Sequence, residues 1–243
     1  MTSFTVEGET YLAFANSNKK NEVWKWEGNG FIDISDTIPV LYSHGVTTFK
    51  VEGETYLAFS SDNYRKNGVW KWNGSGFEDV SSDMLTTTFN AYGVTSFEIG
   101  GSTYLAFATA GQNSILKLEE GTFVHTKKGG VPSFKRETYS QGIESFEIGG
   151  ISYLVFANQG QRNEVWKWNE DGFVDISDKI PAPLPDEWGN IQESYSQGVE
   201  SFKIGGITYL AFANQGQRNE VWKWNGNEFI DISDKTPAPL SDE

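Results

Sequence analysis

The chain has 243 residues, 15% of them aromatic, with 26 glycines, no cysteine and a formal net charge of −14. The lack of cysteine excludes a disulfide framework, a thiolate metal site and a cysteine nucleophile. An acidic chain without a basic stripe is expected to bind neither nucleic acid nor an anionic membrane. No apolar run reaches the roughly 18 residues of a membrane span, and no signal peptide is visible, so we expect an intracellular protein or a fragment of a secreted one.

Five copies of one motif run along the chain. Each copy has a Phe, then a Tyr-Leu-(Ala/Val)-Phe string seven residues later, and four copies continue with Val-Trp-Lys-Trp. Copy three has Ile-Leu-Lys-Leu at 115–118 instead. The first residues of the five tyrosine strings are Tyr11, Tyr56, Tyr104, Tyr153 and Tyr209. Repetition at a period of roughly 20–50 residues is typical of solenoids and propellers, and the copies are numbered here as repeats 1 to 5.

Each repeat is predicted to form four short strands, a to d, which repeat 5 shows best. We expect its strands at 199–204, 208–213, 221–224 and 229–233. A Gly-Gly string after strand a and an Asn-Gly-Asn string after strand c predict tight hairpin turns. The second Trp of strand c and the first Phe of strand d are five residues apart, which predicts a cross-strand aromatic pair such as Trp224 with Phe229.

Strand b indicates the architecture, because its Tyr-Leu-Ala-Phe string is apolar on both faces and both faces need cover. A linear stack would need polar capping repeats at its ends, and repeats 1 and 5 are as apolar as the others. We therefore expect an all-β, five-bladed β-propeller of four-stranded antiparallel blades, closed as a single domain over residues 1–243. The expected blades span approximately 1–44, 45–92, 93–141, 142–197 and 198–243.

The string Phe-x-Ile-x-Gly-x-x-Tyr-Leu-Ala-Phe-Ala-Asn, followed by Val-Trp-Lys-Trp-Asn-Gly-x-x-Phe, resembles the epilepsy-associated repeat, also called the EAR or EPTP repeat. Residues 202–229 carry the pattern best, and residues 146–173 carry it nearly as well. The likeness extends over essentially the whole chain, with repeat 3 the poorest match. The resemblance implies a β-propeller that presents a face to other proteins and is not an enzyme.

The variable b–c and d–a loops of such a fold lie at one end of the blades, which we call the loop-rich face. Function tends to be carried by variable loops on a rigid frame. On this face we predict a site for a protein or glycan partner, formed by Asn158, Gln159, Arg162, Trp188, Tyr139, Tyr195, Asn214, Gln215 and Arg218. Amide and guanidinium groups suit sugar hydroxyls or a partner's backbone, and the aromatic rings add amphipathic surface. A competing interpretation is that Asn158 and Asn214 only end strand b through turn chemistry.

The expected function is a non-enzymatic protein–protein interaction module, monomeric, with no catalytic residue, cofactor or metal. Asp-Ile-Ser-Asp strings at 33–36, 175–178 and 231–234 could supply calcium ligands, but Asp and Ser after a strand are common turn formers.

Two alternatives remain open. One is a multivalent lectin, favoured by the near-identical loops of repeats 4 and 5. The more remote one is a glycosidase that uses Glu144 and Glu200, which occupy equivalent places on strand a of neighbouring repeats. Against the glycosidase, related copies predict similar surroundings for the two carboxylates, whereas acid–base chemistry needs them to differ.

Overall fold

The computed structural model describes residues 1–38, 42–61, 67–85, 90–111, 113–126, 138–181 and 195–235. Strands dominate this part of the chain, which confirms the all-β class. Its helical elements are α1 (Ser81–Met84) and three 3-10 turns at Ser35–Thr37, Ser177–Lys179 and Ser233–Lys235. No helix among the described residues is long and apolar enough to cross a membrane. The chain divides into two compact units, Met1–Lys127 and Lys128–Glu243, and the expected single domain stays a prediction.

The first unit holds repeats 1 to 3, and within each repeat every strand pairs antiparallel with the next one in the chain. Repeat 1 comprises β1 (Thr2–Val6), β2 (Glu9–Phe14), β3 (Glu22–Trp26) and β4 (Phe31–Asp33). Repeat 2 comprises β5 (Ser43–Val51), β6 (Glu54–Ser61), β7 (Gly68–Trp72) and β8 (Phe77–Asp79). Repeat 3 comprises β9 (Ala91–Ile99), β10 (Ser102–Gly111), β11 (Ser114–Glu119) and β12 (Thr122–His125).

The second unit holds repeats 4 and 5, with the same antiparallel order inside each repeat. Repeat 4 comprises β13 (Thr138–Ile148), β14 (Ile151–Gln159), β15 (Glu164–Trp168) and β16 (Phe173–Asp175). Repeat 5 comprises β17 (Ser196–Ile204), β18 (Ile207–Asn214), β19 (Glu220–Trp224) and β20 (Phe229–Asp231). The four predicted strands per repeat are therefore confirmed in all five copies.

The hairpin turns and their register follow the prediction. Gly205 and Gly206 have φ angles of 58° and 80°, the left-handed conformation that a tight a–b turn needs. Trp224 lies opposite Phe229, and the rings are 5.0 Å apart in an edge-to-face arrangement. The equivalent pairs of the other repeats are Trp26 with Phe31, Trp72 with Phe77, Leu118 with Phe123 and Trp168 with Phe173. The aromatic spacing therefore predicts the strand register correctly.

Neighbouring repeats within a unit cover each other's apolar faces through one recurring contact. The Phe of strand a in one repeat meets the Phe of strand d in the next, edge to face. The contacting pairs and their centroid distances are Phe4 with Phe77 at 5.9 Å, Phe49 with Phe123 at 5.6 Å, and Phe146 with Phe229 at 6.1 Å. Edge-to-face packing is a favoured aromatic geometry, and it removes both rings from water.

The predicted strand ends need correction at two places. Strand a begins earlier than expected, at Ser196 in repeat 5, and the expected repeat boundaries at 45, 93, 142 and 198 lie two to four residues inside this strand. Strand d ends early, at Asp231, because the Asp231 carboxylate accepts a hydrogen bond of 2.8 Å from the backbone N–H of Ser233. The Ser233 hydroxyl in turn accepts one from the N–H of Val221, which turns the chain away from the sheet.

The same turn recurs after strand d in other repeats, with Asp33, Asp79 and Asp175 in the place of Asp231. Its contacts account for the Asp-Ile-Ser-Asp strings without a calcium ion. Among the described residues there is no group of three or more His, Cys, Asp or Glu side chains placed to hold a metal.

Candidate active site

One position on strand a separates repeats 4 and 5 from the others. It lies opposite Ala or Val of strand b in every repeat, so the five residues are structurally equivalent within their own sheets. The residues at this position are Thr2, Thr47, Thr95, Glu144 and Glu200. Both carboxylates therefore belong to the second unit, and the first unit carries threonine throughout.

The contact between neighbouring a strands at this position does not need a charged side chain. In the first unit the Thr47 hydroxyl is 3.2 Å from the Ser96 hydroxyl of the following repeat. In the second unit the Ser201 hydroxyl donates to Oε1 of Glu144 across the same kind of junction, also at 3.2 Å. Because a neutral hydroxyl makes the equivalent contact, the carboxylate of Glu144 is not required to join the two strands.

Glu144 has an acid strength unlike that of an ordinary glutamate. Burial, and then the negative charge of Glu200, raise the pKa of Glu144 from 4.5 to about 7. Hydrogen bonds from Ser201 and from the backbone of Ser145 oppose the rise without cancelling it. A carboxyl group with a pKa near neutrality can hold a proton and deliver it at the pH of most biological media.

The two carboxylates have different surroundings, contrary to the expectation from their repeated sequence. Glu144 is only partly exposed, whereas Glu200 is exposed on the last strand a. The difference arises because strand a of repeat 5 packs beside Glu144 through Ser201. Within the second unit, the two carboxylates of the repeated sequence therefore have different neighbours.

We call Glu144 and Glu200 the carboxylate pair. The a strands of repeats 4 and 5 approach each other closely two residues before it. A Cβ placed on Gly142 would lie 2.8 Å from the Cα of Gly198 and 3.3 Å from the carbonyl oxygen of Gln197. Both strands also carry a β-bulge here, with Gln141 and Gln197 skipped in the pairing with strand b. Bulges re-aim side chains and are frequent beside active sites.

Each bulged glutamine meets a second glutamine at the end of strand b. Gln141 Nε2 donates to Oε1 of Gln159 at 3.4 Å, and Gln197 Nε2 donates to Oε1 of Gln215 at 3.3 Å. We call these the amide pairs. The predicted site residues Gln159 and Gln215 thus lie at the same end of the strands, and each contacts a bulged glutamine that was not among the predicted site residues.

Tyr139 and Tyr195 flank the amide pairs. Tyr139 lies opposite Gln159, and Tyr195 forms an isolated bridge with the same residue. The backbone N–H of Gln215 donates to the Tyr195 carbonyl at 2.9 Å. Tyr139 is 54% exposed and Tyr195 44% exposed. The structure therefore brings both predicted tyrosines to the end of the blades where the amide pairs lie.

The asparagines of the predicted site have structural contacts. Asn158 is fully buried, accepts a hydrogen bond of 2.7 Å from Ser140, and donates one of 2.8 Å to the carbonyl of Arg162. Asn214 makes the equivalent contacts with Ser196 and Arg218. These contacts hold the b–c loop closed, as the turn interpretation expects.

The remaining predicted residues are held by other contacts or lie outside the described residues. Arg162 donates through Nη2 to the carbonyl of Ile180 at 2.8 Å. Arg218 lies 3.8 Å from the Asp231 carboxylate. Trp188 falls in residues 182–194, outside the described part of the chain, as do most residues of the longer d–a loops. A recognition role for the loop-rich face as a whole stays a prediction.

Sequence reasoning missed Gln141, Gln197 and Ser201. A comparison of strand a between repeats could have found the glutamines. Repeats 2 to 5 all have a glycine at the same place in this strand, and the residue before that glycine differs between repeats. That position holds His44, Tyr92, Gln141 and Gln197 in repeats 2 to 5. The contact between Ser201 and Glu144 depends on how two repeats pack, and no local pattern announces it.

No family model and no curated protein matches the chain, so the resemblance to the epilepsy-associated repeat stays a prediction. Solved structures do match. A thermostable family-43 glycoside hydrolase is similar with a TM-score of 0.58 and 9% identity, over 98% of this chain and 93% of its own. An α-L-arabinofuranosidase from Lactobacillus brevis is similar with a TM-score of 0.58 and 10% identity, over 99% and 94%. An endo-1,4-β-xylanase from Bacteroides thetaiotaomicron has a TM-score of 0.50 and 11% identity, over 95% and 92%.

These similarities show the β-propeller fold. They also correct the expected function. The protein was expected to be a non-enzymatic interaction module, whereas the three solved structures above, which match nearly its whole length, are a glycoside hydrolase, an arabinofuranosidase and a xylanase. The expectation that the chain has no enzymatic activity is contradicted by the same finding.

Proposed function

We propose that the protein is a glycoside hydrolase whose five repeats close into a five-bladed β-propeller, with Glu144 and Glu200 as its catalytic residues. The observation that carries the proposal is the carboxylate pair, in which neighbouring strands present two glutamates with different surroundings. The fold similarity to glycoside hydrolases over almost the full chain supports it.

Glycoside hydrolysis commonly needs two carboxyl groups with different tasks. One is protonated and donates its proton to the oxygen of the leaving sugar. Glu144 suits this task because its pKa of about 7 keeps much of it protonated near neutral pH. The Ser201 hydroxyl positions the carboxyl group through its hydrogen bond to Oε1.

Glu200 supplies the second carboxylate. It is exposed, so a water molecule or a sugar ring can reach it. As the bond to the leaving sugar breaks, the carboxylate of Glu200 stabilises the positive charge of an oxocarbenium-like transition state. Glu200 then either takes a proton from the water that adds to the anomeric carbon, or itself bonds to that carbon until water displaces it. The negative charge of Glu200 has a second effect, since it helps to keep the proton on Glu144 until the leaving oxygen takes it.

The test is hydrolysis by the full chain of a panel of nitrophenyl glycosides and of xylan, arabinan, galactan and β-glucan, followed by released nitrophenol or reducing ends. We expect activity on at least one substrate. Glu144→Gln should lower kcat/KM on a polysaccharide by about 10²–10⁴-fold, the usual contribution of a general acid. Glu200→Gln should also remove most of the activity.

The matched control is Glu147→Gln, which alters an exposed glutamate on the same strand, three residues further along. It should retain wild-type kcat/KM. No hydrolysis of any substrate by folded wild-type protein, or equal activity in Glu144→Gln and Glu147→Gln, would contradict the proposal.

A further inference from the structure

Gln141 and Gln197 of the amide pairs occupy a bulged position at which the fold of the repeat does not require glutamine. In the first unit the same bulged position of repeats 2 and 3 holds His44 and Tyr92, whose rings pack edge to face at 5.3 Å. The bulge and the glycine after it thus persist while the side chain changes from ring to amide. A variable side chain on a constant frame is typical of a recognition position.

The two amide pairs are neighbours in space. Gln197 lies beside Gly142 through its carbonyl oxygen, and Gly142 directly follows Gln141. From Gln141 to Glu144 the strand advances three residues, about 10 Å at the usual rise. Gln141 and Gln197 therefore lie on the same two strands as the carboxylate pair, a short distance along them, and their partners Gln159 and Gln215 lie at the ends of the adjoining b strands.

The chemistry of these side chains suits sugar hydroxyls. Each amide carries two N–H donors and a carbonyl acceptor, and the bond within a pair uses one donor and one acceptor. The exposed rings of Tyr139 and Tyr195 add apolar faces with a polar tip beside them. Donors, acceptors and rings occur twice, once in each repeat.

We infer that the two amide pairs, with Tyr139 and Tyr195, form two adjacent binding positions for consecutive rings of a neutral oligosaccharide. The inference rests on the proposed function, because the glycan that binds here is taken to be the substrate of the carboxylate pair. That substrate would extend at least two sugar units beyond the carboxylate pair. A neutral chain is favoured because the carboxylate pair adds negative charge nearby. The described arginines of this unit are engaged, Arg162 with a backbone carbonyl and Arg218 with Asp231.

The test is isothermal titration of the Glu144→Gln protein, in which slow turnover leaves the probes intact. The probes are xylo-, arabino-, galacto- and cello-oligosaccharides of one to four units. In the series that binds, affinity should rise at least about 10-fold between one and three units. Gln141→Ala and Gln197→Ala should each lower affinity for the longest probe about 5- to 10-fold, the loss expected for one or two hydrogen bonds.

Asn227→Ala is the matched control, since it removes an exposed amide at the opposite end of repeat 5. It should bind like its parent, and thermal melting should show that all variants fold. Equal affinities of the glutamine variants and Asn227→Ala, no gain with chain length, no binding in any series, or tighter binding of an oligogalacturonate would overturn the inference.

The outcome is separable from that of the proposed function. Binding that depends on Gln141 and Gln197, without hydrolysis by wild-type protein, would reject the hydrolase and keep the sugar positions. Hydrolysis with unchanged KM in both glutamine variants would keep the hydrolase and reject the sugar positions.

Discussion

Glu144 destabilises the folded protein when it is ionised, whereas the threonines at the equivalent positions of the first unit carry no charge. A threonine at the same place joins neighbouring strands through a hydroxyl, as Thr47 does with Ser96. A carboxylate there loses water and faces the charge of Glu200, and both effects raise its pKa. Retaining a destabilising ionisable group where a neutral one fits is typical of functional sites.

The raised pKa of Glu144 has a consequence for stability. Because its folded-state pKa of about 7 lies above the unfolded value of 4.5, the folded protein holds an additional proton between these pH values. Stability therefore decreases as pH rises from 4.5 to 7, by up to about 3 kcal/mol from this group. Glu144→Gln removes this loss, so the free energy of unfolding of the variant, relative to that of the wild type, should be higher at pH 8 than at pH 5. Urea unfolding at both pH values measures the gain.

Glu147→Gln provides the comparison, since it removes an exposed carboxylate from the same strand. The account would be wrong if Glu144→Gln and Glu147→Gln changed the free energy of unfolding equally at pH 5 and at pH 8.

Strand a is the element that builds the site. Its bulge turns Gln141 and Gln197 out of the ladder, and its glycines let repeats 4 and 5 approach. The approach is asymmetric. A Cβ on Gly142 would meet the backbone of Gly198, whereas a Cβ on Gly198 would meet no described atom within 4 Å.

A pair of alanine substitutions tests this asymmetry. Gly142→Ala should lower the free energy of unfolding by about 1–3 kcal/mol, because a methyl group forced against backbone has nowhere to move. Gly198→Ala should leave it unchanged or raise it by less than about 1 kcal/mol, since it restricts the unfolded chain without a clash. Urea denaturation of both variants provides the measurement. Equal effects would show that the two strands do not approach as described.

The strands and their register could be predicted because their signals are local. The spacing of Trp224 and Phe229 determines which residues face each other across one hairpin. The site could be predicted only in part. Repeat comparison places Glu144 and Glu200 at equivalent positions, but their burial depends on which repeat packs beside each. The contact between Ser201 and Glu144 joins two neighbouring repeats, and it depends on how their a strands pack rather than on any pattern within one repeat.

On the scale of the whole chain, five similar repeats carry one pair of carboxylates at a place where three repeats carry threonine. The aromatic residues that recur in the repeats pack against neighbouring repeats of the same unit, as the Phe contacts between strands a and d show. The proposed function is therefore concentrated in repeats 4 and 5, whose sequences are nearly identical. A net charge of −14 further disfavours anionic polysaccharides as substrates.

Glycosidic bond cleavage by this protein should require a protonated Glu144, and the pH dependence of kcat/KM on a hydrolysed polysaccharide measures that requirement. Activity should fall on the basic side with an apparent pKa of about 7, as Glu144 loses its proton. That limb should be absent from the residual activity of Glu144→Gln and unchanged in Glu147→Gln. A profile that stays flat from pH 6 to pH 9, or a basic limb that survives in Glu144→Gln, would contradict the account.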